Sequence, residues 1–236
     1  MKYLILLVFS ILFLSCSNDQ IINPVLLPID EATIGVKSRI VYPSLESNQI
    51  GSIEDFEYNN DGKLIKKIYY SGNRVILLHY EIFNYDTNGK LTYKLGYRSN
   101  INSPSGFVLL DSTNYVYTGN FLIVEKTTYP LAKYFDEYTY EYDKNYLIKK
   151  TNYHKGELEY FITYEYQDDK VYKEKHNGGI EIKEYIYKDN QLIEIVEREA
   201  RKRNYSYNEN GKLILERVEE LSVYSSMASH IVKYFY

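Results

Sequence analysis

One short pattern recurs along the chain and constrains its fold more than any other feature. It reads aromatic-x-aromatic, then a cluster of Asn, Asp, Gly and Lys, then leucine. The full form is FEYNNDGKL from Phe56 to Leu64, FNYDTNGKL from Phe83 to Leu91 and YSYNENGKL from Tyr205 to Leu213. Shorter forms occupy residues 115–122, 140–147, 164–171 and 185–192, and an eighth begins at Tyr234-Phe235-Tyr236. The second aromatic falls at 58, 85, 117, 142, 166, 187, 207 and 236. Such a period marks a repeat architecture, and its uneven spacing fits insertions in loops.

The physical sense of the unit is a β-hairpin. Alternate residues of a strand share a face, so aromatic-x-aromatic puts two rings on one side. Asn, Asp and Gly tolerate positive φ and bond their own backbone, so they make the tight turn. Lesser turns lie between the marked ones, at Ser71-Gly72-Asn73, His154-Lys155-Gly156 and Asn177-Gly178-Gly179. No segment has helical periodicity. The expectation is an all-β antiparallel meander of roughly 14–16 short strands, in a sheet twisted or curled enough for partial closure. Leu158, Tyr160, Ile162, Tyr164 and Tyr166 are expected on one face of their strand.

Composition enters through charge and cysteine. The 28 Lys and Arg against 32 Asp and Glu leave a net charge of −4, without the basic stripe that nucleic acid would need. The single cysteine, Cys16, excludes an internal disulfide. It lies at the end of MKYLILLVFSILFLSC, in which Lys2 precedes an uncharged run from Tyr3 to Leu14. That run is too short to span a bilayer and suits the apolar part of an export signal. The segment resembles a bacterial lipoprotein signal peptide of the looser kind found in Bacteroidetes-like lineages, with Phe13 where leucine is usual. The resemblance implies cleavage after residue 15 and acylation of Cys16. Residues 16–35 then form an extended tether broken by Pro24 and Pro28, and residues 36–236 form the repeat domain. Location is expected in the outer membrane through the lipid, on the periplasmic or the cell-surface side.

The repeat resembles the YD units of the Rhs family, Y-x-Y-D-x-x-G-R-L, best at Tyr85-Asp86-Thr87-Asn88-Gly89-Lys90-Leu91 and at Tyr207–Leu213. Large Rhs proteins wind such hairpins into a shell around cargo. Seven units are too few for that, so the resemblance implies the hairpin repeat and not encapsulation.

Chemistry-bearing motifs are sparse. His79, His154, His176 and His230 have no metal-ligand spacing, and turn histidines are ordinarily solvated. The turns Asn59–Gly62 and Asp86–Gly89 offer calcium two or three oxygens each, short of the six to eight it takes. Asp168-Asp169 and Glu219-Glu220 are strand or turn neighbours rather than carboxylates facing across a cleft. No catalytic residue, metal or cofactor is expected. The 29 tyrosines could serve as a sugar- or peptide-binding face, but rings that recur with the repeat serve cross-strand packing. The longest break, Arg98 to Phe107, is the candidate binding loop, with Arg98, Asn100, Asn102 and Phe107 as its residues. The functional expectation is a non-enzymatic, lipid-anchored envelope module with a glycan or protein ligand. A structural accessory of an outer-membrane complex is the alternative, and a carbohydrate-active enzyme ranks third. A membrane-spanning barrel is not expected, because Val171–His176 carries charge on both faces.

Overall fold

The computed structural model describes residues 34–44, 46–177, 179–198, 200–221 and 229–236. Cys16, the export signal and most of the tether lie outside the described residues. Sixteen strands follow one another. They are Ser38–Tyr42 (β1), Ser52–Tyr58 (β2), Leu64–Ser71 (β3), Ile76–Tyr85 (β4), Leu91–Ser99 (β5), Phe107–Thr118 (β6), Phe121–Tyr129 (β7) and Tyr134–Asp143 (β8). Then come Tyr146–His154 (β9), Glu157–Gln167 (β10), Lys170–His176 (β11), Ile180–Lys188 (β12), Gln191–Glu197 (β13), Arg201–Tyr207 (β14), Leu213–Glu220 (β15) and His230–Phe235 (β16). Each pairs antiparallel with the next, and β16 pairs antiparallel with β1, from Ser38 opposite Phe235 to Tyr42 opposite Ile231. The expected meander is therefore correct, and closure goes further than the partial closure expected: the sheet closes fully into a barrel.

The repeat motif builds one rim of this barrel. In the three long copies the first turn residue folds the loop around its own side chain. Asn59 Oδ1 accepts from the amides of Asp61 and Lys63, Asp86 Oδ1 from Asn88 and Lys90, and Asn208 Oδ1 from Asn210 and Lys212. Glycine follows at positive φ, 76° at Gly62 and 73° at Gly211, where a side chain would be strained. Two of the short copies use two-residue turns with both residues at positive φ, Asp168-Asp169 and Asp189-Asn190, the geometry that matches strand twist. These three oxygens are thus engaged in shaping the turns.

Past each turn the second aromatic stands opposite the motif's leucine or valine, as in Tyr58 with Leu64, Tyr142 with Leu147 and Tyr207 with Leu213. A register shift follows at once in all seven hairpins. Bulges of this kind sharpen twist and curl a sheet toward closure. A further bulge, between Leu158 and Tyr160, corrects the expected face: Leu158 is 60% exposed, away from the row of rings that Tyr160 begins.

The tyrosines also stitch each hairpin to the one before. Tyr85 Oη donates to the Leu64 carbonyl (2.8 Å), Tyr142 to Leu122 (2.9 Å), Tyr166 to Leu147 (2.9 Å), Tyr187 to Val171 (2.8 Å), Tyr207 to Leu192 (2.6 Å) and Tyr236 to Leu213 (2.9 Å). Each acceptor lies just beyond the ladder that its strand makes with the next: the β3–β4 pairs, for instance, stop at Lys66. The hydroxyl thus satisfies a carbonyl that the sheet leaves unpaired. The packing role expected of the tyrosines has this hydrogen-bonded form.

Candidate functional site: a charged lumen

Sixteen strands enclose more space than inward side chains fill, so the lumen is where a site can form. Strand alternation lines it in layers. Below the rim tyrosines comes the first aromatic of each motif, and a charged residue three places after the leucine stands directly opposite it on the partner strand. The pairs are Phe56 with Lys67, Phe83 with Lys94, Tyr115 with Glu125, Tyr140 with Lys150, Tyr164 with Glu174 and Tyr205 with Glu216. Only Tyr185 meets an apolar partner, Ile195.

These charges link sideways into a belt of alternating sign. Glu54 is held between Arg39 and Lys67, whose Nζ is 3.0 Å away. Glu81 accepts from Tyr69 and Lys94, each at 2.9 Å. Tyr140 donates to Glu125 at 2.8 Å. Glu174 accepts from Tyr185 and lies 3.3 Å from Lys183. Glu216 takes Arg203 at 3.0 Å and Tyr234 at 2.9 Å. Glu54, Glu174 and Glu216 are buried, and a carboxylate there is tolerable because each has a charged or phenolic partner. Burial, reinforced by the nearest carboxylate, pushes the phenols of Tyr69, Tyr140, Tyr185 and Tyr234 far above their ordinary range. Burial pulls the Lys150 ammonium down, with Glu125 and Glu174 opposing it. Burial also acts to raise Glu81, but the hydrogen bond and charge of Lys94 outweigh it and hold that carboxyl below its usual value.

Between β14–β16 and β1–β4 the belt opens into a cavity of about 630 Å³. Phe56, Tyr58, Tyr85, Tyr205 and Tyr234 wall it, while Arg39, Lys67 and Arg203 reach it beside Glu216. Arg39 Nε is buried there without a hydrogen-bond partner. Rings on the walls and spare N–H donors suit a polar ligand with a flat apolar face.

The expected binding loop does not share this place. Asn100 Oδ1 accepts from the Asn102 amide, Ser103 and Ser105 donate to the Phe107 carbonyl, and Phe107 sits edge-on to Tyr80 at 5.0 Å. Arg98 is on β5 opposite His79 and Val108. Asn100, Ser103 and Ser105 thus bond within the loop, which lies at the rim opposite the marked turns. The histidines are partly exposed, each with a neighbour. His79 stacks on Tyr69 at 3.6 Å, His154 bonds Asp136 at 2.6 Å, and His176 lies against Tyr160; burial lowers the pKa of His79. Among the described residues no group of three His, Cys, Asp or Glu could hold a metal ion. Asp168 and Asp169 form a turn, and Glu220 is paired with Arg201 at 2.7 Å.

Sequence reasoning missed the belt. A signal for it was present: in six of the seven hairpins the third residue after the motif's leucine or valine is charged, at 67, 94, 125, 150, 174 and 216.

No family model matches the sequence, and no curated protein matches it either. Solved structures do resemble it. A DUF3836 family protein from Bacteroides vulgatus is 16% identical over 41% of this chain and 88% of that one, with a TM-score of 0.27. A chain of the Photorhabdus luminescens Tc holotoxin pore is 13% identical over 74% of this chain and 10% of that one, at 0.38. The likeness that bears on the fold is to a porin-like protein from Bacteroides uniformis, 12% identical over 86% of this chain and 98% of that one, with a TM-score of 0.55; what the two chains share is the barrel.

Proposed function

We propose that this protein is a non-enzymatic module of the outer envelope, anchored by an acylated Cys16, that binds its ligand inside the barrel. The observation that carries the reading is the lumenal cavity, with five aromatic rings on its walls and three cations reaching it. A glycan fits such a lining, since its CH faces stack on rings and its hydroxyls meet the belt. Anchoring by lipid rather than by the wall is supported by ion pairs on the outer face, Lys126–Glu137 at 3.2 Å, Lys149–Glu141 at 2.8 Å and Lys202–Glu194 at 2.6 Å. Hydrocarbon would not tolerate that face. Several strands, β11 and β13–β16, also fall short of the roughly 9–11 residues a membrane strand needs.

The test is calorimetric titration with a panel of oligosaccharides, on the native chain and on Lys67→Gln and Tyr58→Ala variants. Binding that weakens about tenfold in either variant, the scale of one lost charged or stacking contact, supports the lumen. Binding unaffected by both, or none across the panel, overturns it. In cells, Cys16→Ala should release the protein from the membrane fraction; unchanged detergent partitioning refutes the anchor.

A further inference from the structure

The two rims of the barrel are chemically opposite. None of the seven marked turns carries a large apolar residue. At the other rim five turns, those between β3 and β4, β5 and β6, β7 and β8, β9 and β10, and β11 and β12, each bear one at or beside the turn. Val75 is 78% exposed, Ile101 99%, Leu131 63%, Leu158 60% and Ile180 49%. Nearer the marked turns, exposed apolar residues such as Ile148 and Ile214 lie on the wall, and Ile34, 60% exposed, lies where the chain enters. Behind the apolar tips runs a collar of aromatic residues near the strand ends. Tyr80 stacks on Tyr97 at 4.9 Å and meets Phe107 at 5.0 Å, and Phe135 and Tyr153 continue the collar on the outer face. These five turns hold three cations, Lys133, Lys155 and Arg74, the last paired with Asp55 at 2.7 Å.

We propose that this rim docks into a lipid surface, with the apolar tips entering the acyl boundary, the aromatic collar at headgroup level and the cations against anionic headgroups. Two observations favour lipid over a protein. The apolar side chains stand on separate hairpins around a ring, so they offer no continuous patch of the size that a stable protein contact buries. Fluid acyl chains accept such isolated side chains one by one. Apolar tips in front of an aromatic collar, with cations beside the tips whose long stems let their heads reach back to headgroup level, match the layers of an interface. The inference does not depend on the lumen binding anything or on Cys16 being acylated. The chain enters the barrel at the opposite rim, where Lys212 bonds the Ile34 carbonyl at 2.8 Å. The residues between Cys16 and Ile34 could extend to about 60 Å, so an anchor at Cys16 reaches past the apolar rim.

The experiment uses the full chain with Cys16→Ser, so that one introduced thiol takes an environment-sensitive dye. One variant carries it on the apolar rim, Ile101→Cys, and another on the polar rim, Asn88→Cys. The probe is vesicles of phosphatidylethanolamine and phosphatidylglycerol in equal parts. Both dyes ride the same chain, so vesicle binding by the apolar run from Tyr3 to Leu14 affects them alike. The expected result is blue-shifted emission and shielding from iodide for the dye at 101 alone. Adding Val75→Asp, Leu131→Asp and Leu158→Asp should cut the shifted fraction at least about tenfold, given the transfer cost of each side chain, with an unchanged far-ultraviolet spectrum because all three are exposed. The proposal is overturned by equal responses at both rims, by a response at 88 alone, or by none at either. A shift that grows with protein concentration without vesicles also overturns it, since it means that two copies meet rim to rim.

Discussion

Tyr187 places a phenol ring in the lumen and its hydroxyl on the Val171 carbonyl at 2.8 Å. Tyr187→Phe keeps the ring and strands the carbonyl, so a loss of about 1 kcal/mol in denaturant unfolding is expected. No loss would mean that water replaces the hydroxyl. Burial, with a smaller contribution from neighbouring phenols, pushes the Tyr187 pKa up to about 12, and burial alone pushes Tyr207 to about 12. Between the ordinary value of about 10 and the folded value, the unfolded chain loses protons that the native chain keeps. The native state therefore binds more protons there, and stability falls as pH rises through that window. Alkaline titration followed by phenolate absorbance should show tyrosines ionising late and together with unfolding; early, independent ionisation would show that they are solvated. The rings were legible in the sequence because they recur on one face. The carboxylates were not, because an alternating Lys and Glu pattern reads as a wet surface until pairing shows which strand face turns inward. Glu174 and Lys183 look like ordinary solvated charges in the string, yet only Glu174 is buried to below a tenth exposed.

Hairpins are the elements the sequence specified best, since turn chemistry is local. Asn59, Asp86 and Asn208 fold three loops identically, and each is visible as Asn or Asp three residues before glycine. The faces of the strands were less legible. A bulge flips side chains with no residue to announce it, which is why Leu158 departs from the row that Tyr160 begins. The short turn at Asp168-Asp169 is a weak point: two adjacent carboxylates at φ 49° and 63° both adopt a conformation that glycine and asparagine hold more easily. Replacing the pair by Asn-Gly should stabilise the protein by about 0.5–1 kcal/mol, seen as a higher melting temperature with the same spectrum. A lower one would show that Asp169 matters more through its contact with the Tyr146 hydroxyl.

At the scale of the whole molecule the fold depends on closure, which no local pattern encodes. The strand that closes it, β1, is Ser38–Tyr42, without the aromatic motif and ahead of the first repeat. Its partner β16 is held on both sides: Leu215 to Val218 of β15 face Lys233 to His230, and β1 covers the other edge. Tyr234 donates to Glu216 and Tyr236 to the Leu213 carbonyl, so β16 also completes the belt and the rim. Removing residues 230–236 takes all of this away, and the barrel has no easy substitute. Successive strands alternate in direction, and β1 and β15 both run antiparallel to β16, so they run parallel to each other. A barrel reclosed through fifteen strands would need a parallel seam in an otherwise antiparallel sheet, with a slanted ladder and less stable pairing. The truncated chain should therefore stay open, with the unpaired edges of β1 and β15 prone to pair with other molecules. Amide hydrogen exchange reads this directly. In the intact protein 38–42, 215–218 and 231–235 should exchange slowly together. In the truncated one the amides of 38–42 and 215–218 that bonded β16 should lose protection, while those bonded to β2 and β14 and hairpins distant from the seam, such as β8–β9, keep theirs. Retained protection at the β16-facing amides of 38–42 would mean that β1 finds a parallel partner and that closure tolerates an odd number of strands.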